Sequence, residues 1–118
     1  MRHLKKTKKF KRTEEERKRL WIDLCTALIK YKKITTFTAR AKWFRQKFER
    51  LVTLTKRAGG DKALAFRKVR PYLSEDVARI LIEEITPTFQ NRQGGYTQVY
   101  KLDQAFSPHN KSVVLITQ

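Results

Sequence analysis

The sequence predicts an α+β fold in two layers, and three observations carry that expectation. Two long stretches, at 13–31 and 38–57, repeat apolar residues at the three- and four-residue spacing of an amphipathic helix. Two shorter capped stretches follow, at 61–70 and 74–86. Runs of β-branched or alternating residues at 34–37, 96–102 and 112–117 have the composition of strands. About four helices and at least three strands, with no internal repeat, suit one domain of this length.

Residues 1–12, MRHLKKTKKFKR, hold seven Lys or Arg and no acid, with only Leu4 and Phe10 as larger apolar side chains after Met1. Such a segment buries too little to offset its ordering entropy alone. It is expected to be a basic extension that orders on a polyanion, ahead of a single domain at 13–118. Thr13, followed by Glu14, Glu15 and Glu16, has the form of a capping box, and the acids suit the positive end of a helix dipole. Leu20, Trp21, Leu24, Cys25, Leu28 and Tyr31 then form a packing stripe. Within it Cys25 reads as a small hydrophobe rather than an activated thiol, and Trp21 as core rather than a stacking surface.

Thr35, Thr36 and Phe37 favour an extended backbone, and Thr38 is placed to cap the helix that follows. Along that helix Ala41, Phe44, Phe48, Leu51, Val52 and Thr55 fall on one stripe, with Lys42, Arg45, Glu49 and Lys56 on another. Trp43 lies outside the apolar stripe, on the flank that carries Lys47 and Arg50, so an aromatic ring sits among cations.

Ala58-Gly59-Gly60 gives that helix its stop; with no Walker pattern around it, the Gly pair is not read as a phosphate loop. Asp61 caps a short basic helix that ends before Pro71. Ser74 caps the next, with Val77, Ile80, Leu81 and Ile85 as its packing stripe. This least basic helix is expected to face away from a polyanion, and Thr86-Pro87 to break it before one further turn at 88–90. Asn91 to Gly95 is a turn on composition. Tyr96 to Leu102 and Ser112 to Thr117 are expected to pair across the 103–111 loop.

Composition narrows the function. The 118 residues are 40% hydrophobic, enough for a small core, yet 33% charged with a formal net charge of +17. Leaving out the first twelve residues still leaves 21 basic against 11 acidic side chains, or +10. Self-repulsion of that size calls for an external counter-charge. Nucleic acid is the expected source and an anionic membrane surface the alternative.

The single cysteine excludes a disulfide framework or thiolate metal cluster and fits a reducing compartment. No stretch has the apolar length to span a bilayer, and the basic N-terminus lacks the apolar core of a secretory signal, so the protein is expected to be soluble and intracellular. His3 and His109 complete no metal-ligand spacing. Glu83 and Glu84, being adjacent on a helix, point apart and make a poor acid–base pair. Without a nucleophile elbow, dinucleotide fingerprint or Walker loop, no enzymatic activity, cofactor, metal or small-molecule substrate is expected.

An ordered set of residues, Met1-Arg2-His3, Thr35-Thr36, Ala41-Lys42, Arg45, Leu51 to Lys56 and above all Asn91-Arg92-Gln93-Gly94-Gly95-Tyr96-Thr97, resembles the bacterial large-subunit ribosomal protein L17 family over nearly the whole chain. The resemblance implies helices on one side of a mixed three-stranded sheet. It also implies a structural role in the cytoplasmic ribosome, binding 23S rRNA near the exit side of the peptide tunnel beside neighbouring large-subunit proteins. Two places depart from the family pattern. Gln98 stands where a basic residue is more usual, and Phe106 to Lys111 replaces the usual turn before the last strand, so contacts there are not carried over.

The expected rRNA footprint has three parts. Arg2, His3, Lys5, Lys6, Lys8, Lys9, Lys11 and Arg12 thread between RNA helices. Thr35, Thr36, Arg40, Lys42, Arg45 and Arg50 add a folded surface. Arg92, Gly94, Gly95 and Tyr96 add a turn whose glycines let an RNA backbone come close. Arg offers a planar fork to phosphate where Lys offers a point charge. Trp43 and Tyr96 are candidates to stack on bases or riboses, with packing against the sheet an equal alternative for Tyr96. A nucleoid DNA-binding protein is the main rival, though it is normally a dimer and no dimer stripe is visible. A membrane-surface protein lying on its Trp21 helix is a third reading, and the acids opening that helix oppose it.

Overall fold

A computed structural model describes residues 12–102 and 110–117. In chain order the elements are α1 (Glu14–Tyr31), β1 (Lys33–Phe37), α2 (Thr38–Arg57), α3 (Lys62–Val69) and α4 (Glu75–Ile80). A π-helical turn (Leu81–Ile85) and a 3-10 turn (Thr86–Phe89) prolong α4, and β2 (Thr97–Lys101) and β3 (Lys111–Ile116) complete the sheet. The α+β, two-layer expectation holds.

α1 opens on the capping box the sequence announces: the Thr13 hydroxyl accepts from the Glu16 N–H and the Glu16 carboxylate reaches back to the Thr13 N–H. It buries Cys25, Leu28 and Ile29 and ends where Lys32 turns left-handed. Tyr31, expected in the stripe, is 72% exposed instead. The seam runs through Ile29, two residues earlier and on the other side of the helix.

Thr38 does not cap α2, because Phe37 occupies the N-cap with no side-chain bond. The Thr38 hydroxyl bonds the Asn110 carbonyl at 2.9 Å and meets the Ser112 hydroxyl at 2.7 Å, tying the helix start to β3. All six residues of the expected α2 stripe are buried. Asp61 caps α3 through the Leu64 N–H at 3.1 Å, whereas Ser74 occupies its N-cap without a side-chain bond.

Thr86-Pro87 does not break the last helix. Pro87 has no N–H and its ring crowds the carbonyl four residues back. The backbone therefore widens into the π turn before it and tightens to 3-10 across it. The Thr86 hydroxyl bonds the Leu81 carbonyl at 2.9 Å and faces the Thr55 hydroxyl of α2 at 2.7 Å.

The sheet order is β1-β3-β2, and β3 is antiparallel to both neighbours. The sheet is therefore antiparallel throughout rather than mixed. The two strands that run the same way, β1 and β2, are its edges and do not touch. In register, Ile34, Val114 and Val99 face the helices, with Val114 fully buried. α1 and α2 lie on that face, α2 touching all three strands. Phe44, Phe48, Leu28, Leu81 and Phe89 fill the space between the layers. The opposite face of the sheet carries no helix among the described residues.

Candidate nucleic-acid interface

Cations on α1 and α2 converge on a groove of about 620 Å³ lined by Trp21, Trp43 and Tyr72 together with Arg17, Lys18, Lys47 and Arg50, with Glu14 and Glu15 at its α1 end. Helical spacing builds each wall. Arg17 or Lys18 with Trp21 lie one turn apart on α1, and Trp43, Lys47, Arg50 and Leu54 follow one stripe of α2. The Trp21 and Tyr72 rings meet at 5.4 Å, and the Lys18 ammonium lies 5.7 Å from the Tyr72 ring centre. Trp43 packs partly against the core while lining the groove, and Trp21, expected as core, does the same. Arg12, the one described residue of the expected extension, is tied to the groove: its carbonyl accepts from the guanidinium of Arg17 at 2.6 Å. Arg2, His3, Lys5, Lys6, Lys8, Lys9 and Lys11 lie outside the described residues.

The 91–96 turn is a second, separate basic feature. Gly94 and Gly95 are exposed and both take positive φ, 81° and 65°, where a side chain would be strained. The Arg92 guanidinium closes the turn on the Gly95 carbonyl at 3.0 Å, and Lys56 donates to the Arg92 carbonyl and to the Tyr96 hydroxyl. Tyr96 itself is 3% exposed with its ring 4.9 Å from Phe89. Of its two expected roles, packing is the one its position allows the ring. Burial pushes the Tyr96 phenol up, but the Lys56 ammonium bonded to it, with further hydrogen bonds at the turn, more than offsets this and holds it below the ordinary tyrosine value.

The remaining expected residues scatter. Thr35 is exposed on the outer face of the sheet while Thr36, pointing the other way, is buried. Lys42 and Arg50 are exposed. Arg40 lies with its guanidinium 5.4 Å from the exposed Phe37 ring. Arg45 faces inward, bonding the Thr97 hydroxyl at 3.1 Å, the Thr97 carbonyl at 3.2 Å and Glu49 at 3.4 Å, so it ties α2 to β2. Tyr72 and Lys18 entered the groove unannounced by any local pattern, since the contact joins distant parts of the chain.

Burial pushes the Cys25 thiol far up and leaves it inert, as the sequence suggests. Among the described residues no group of three or more His, Cys, Asp or Glu could hold a metal, and no helix is long and apolar enough to cross a membrane.

Charge pairing decides what this surface can do. Among the described residues only Arg45 with Glu49 and Arg79 with Glu75 form ion pairs, although Lys and Arg far outnumber Asp and Glu there as well. The groove therefore presents four cations that form no ion pair, against the two acids Glu14 and Glu15, and the turn presents Arg92 and Lys56, likewise without an ion-paired acid.

The chain matches known proteins over most of its length. Residues 20–117 match the family described as Ribosomal protein L17. The large ribosomal subunit protein bL17 of Persephonella marina is 42% identical over 106 residues, covering 88% of this chain and 83% of its own. That of Sulfurihydrogenibium sp. (strain YO3AOP1) is 43% identical over 104 residues, covering 87% and 84%. That of Methylacidiphilum infernorum is 36% identical over 116 residues, covering 98% and 86%.

Proposed function

Given that the chain belongs to the ribosomal protein L17 family, we propose how it serves the particle that family builds. It is a structural protein of the bacterial large ribosomal subunit, not an enzyme, and resides in the cytoplasmic ribosome in association with ribosomal RNA and proteins. On our reading it binds 23S rRNA directly, near the exit side of the peptide tunnel, and brings RNA helices together by neutralising their phosphates.

The observation that carries this reading is the shortage of internal ion pairs in so basic a chain. Lys18, Lys47 and Arg50 around the groove would take phosphates, each contact releasing condensed counterions. The Trp21, Trp43 and Tyr72 rings beside them offer apolar surface to ribose and base edges. The extension that meets the groove at Arg12 would run on between RNA helices and order there. At the turn, Gly94 and Gly95 leave room for a sugar–phosphate backbone.

Binding of 23S rRNA by the full chain and by a chain lacking residues 2–12, measured across a salt series, tests this. The full chain should bind with steep salt dependence. The deletion should bind more weakly with a shallower slope, because the log–log slope scales with the number of phosphates neutralised, while its thermal midpoint stays close. Full-length protein should also stay with large subunits through a high-salt wash in a sucrose gradient. Indifference to 23S rRNA at low salt would refute direct binding.

A further inference from the structure

The outer face of the sheet, which the groove and the turn leave unused, carries its own pattern. Directly opposed residues in an antiparallel pair point to the same side. The register therefore sets Phe37 beside Lys111, aligns Thr35, Val113 and Tyr100, and places Leu115 between Lys33 and Gln98. Phe37 is 44% and Tyr100 53% exposed. The Tyr100 hydroxyl donates to the Gln98 side-chain oxygen at 3.0 Å, which fixes the ring. Two cations attend Phe37: the Arg40 guanidinium at 5.4 Å and the Lys111 ammonium at 5.6 Å from the ring centre. None of these face residues is acidic.

We propose that this face is a platform for unpaired RNA bases, with Phe37 and Tyr100 as its two stacking surfaces. The inference rests on the RNA-binding reading above and names the form of RNA that this part of the molecule takes. Exposed aromatic rings on an apolar face call for a cover, and the cations decide its chemistry. Lysine, present here at Lys33 and Lys111, is depleted where proteins meet proteins, whereas rings rimmed by cations with no acid beside them suit a base stacked on a ring with its phosphate alongside. Arg40 and Lys111 have long flexible side chains, so phosphate draws them off Phe37 as a base takes their place.

A duplex cannot use the rings, because its bases are stacked within it. Phe37 and Tyr100 stand on the two outer strands, two residues out of row and so about 12 Å apart from strand spacing and rise together, so an unstacked segment seats one base on each.

Fluorescence anisotropy with a short oligouridylate and with a blunt RNA duplex distinguishes the possibilities. In the full chain, Phe37→Ala and Tyr100→Ala should each weaken binding of the single strand about fivefold or more. Salt slope, duplex binding and thermal midpoint should hold. Phe37→Tyr and Tyr100→Phe, which keep a ring, should bind as the unaltered chain does.

Alanine variants that bind the single strand normally, or lose single strand and duplex alike, overturn the proposal. So does a concentration-dependent dimer that either alanine abolishes, which would give the face to a second copy of the chain. If the unaltered chain bound neither RNA, the RNA-binding reading itself would fall; binding with indifferent variants would sink only this inference.

Discussion

The α2 helix and the helical run from Glu75 to Phe89 serve the same core, yet they turn opposite charges outward. α2 buries Phe44, Phe48, Leu51 and Val52, and the later run buries Val77, Leu81, Ile85 and Phe89. The Thr55 and Thr86 hydroxyls join them 2.7 Å apart. On the solvent side α2 carries Lys42, Arg50 and Arg57, while the later run carries Glu75, Asp76, Glu83 and Glu84, with Arg79 paired to Glu75. Burial decides where each helix sits, and the positions left over are free to be matched to what the surface meets. A polyanion is drawn more strongly to the α2 surface than to the later run, which biases its approach without any specific contact.

The comparison breaks most easily at the shared core. Phe48→Ala removes a fully buried ring and should cost about 3–5 kcal/mol of stability, read as a large fall in the urea or thermal midpoint. A midpoint that did not move would mean α2 packs through a different face.

The next test exchanges charges. Lys18→Glu, Lys47→Glu and Arg50→Glu together should lower rRNA affinity by roughly tenfold or more at low salt and flatten its salt dependence. Glu83→Lys with Glu84→Lys should leave affinity unchanged or raise it. Equal losses from both sets would erase the distinction between the two sides.

Thr86→Val severs the hydroxyl link between the helices while keeping the side chain's shape. It should cost about 0.5–1.5 kcal/mol, the usual net worth of one hydrogen bond, because the Thr55 hydroxyl keeps the Val52 carbonyl and the Leu81 carbonyl keeps the Thr86 N–H, with RNA affinity retained at temperatures where the chain stays folded.

The smallest effect is at Tyr96. Its phenol is held below the ordinary value when folded, so the unfolded chain keeps that proton to higher pH, and stability should rise with pH between the folded and unfolded values. In Lys56→Met burial acts with less opposition, and the Tyr96 titration, followed by NMR of the phenol carbon, should move upward.

Much of this fold was legible because local chemistry fixed it. The Thr13–Glu16 box, the Asp61 cap, the α2 stripe and the β-branched strands all rest on neighbours within a few residues. The misreadings share a different origin. Thr38 looks like a cap until β3 arrives to claim its hydroxyl. Arg45, read as a phosphate ligand, also has a structural partner, Thr97, that only folding brings beside it. Pro87 looks like a helix end unless the chain can widen ahead of it, as the π turn does. The groove was half visible: Trp43, Lys47 and Arg50 share a flank in sequence, but Tyr72 and Lys18 join them only through tertiary packing.

One feature of the topology bears on biosynthesis. The middle strand is the last of the three to be made, with Lys33 waiting for Leu115 and Tyr100 for Val113. During translation the nascent chain can wind its helices, but both early strands keep unsatisfied edges until residue 116 has emerged. Closure of the sheet thus waits on its central strand, and any message truncated before codon 111 yields a product with two sticky ribbons and nothing between them.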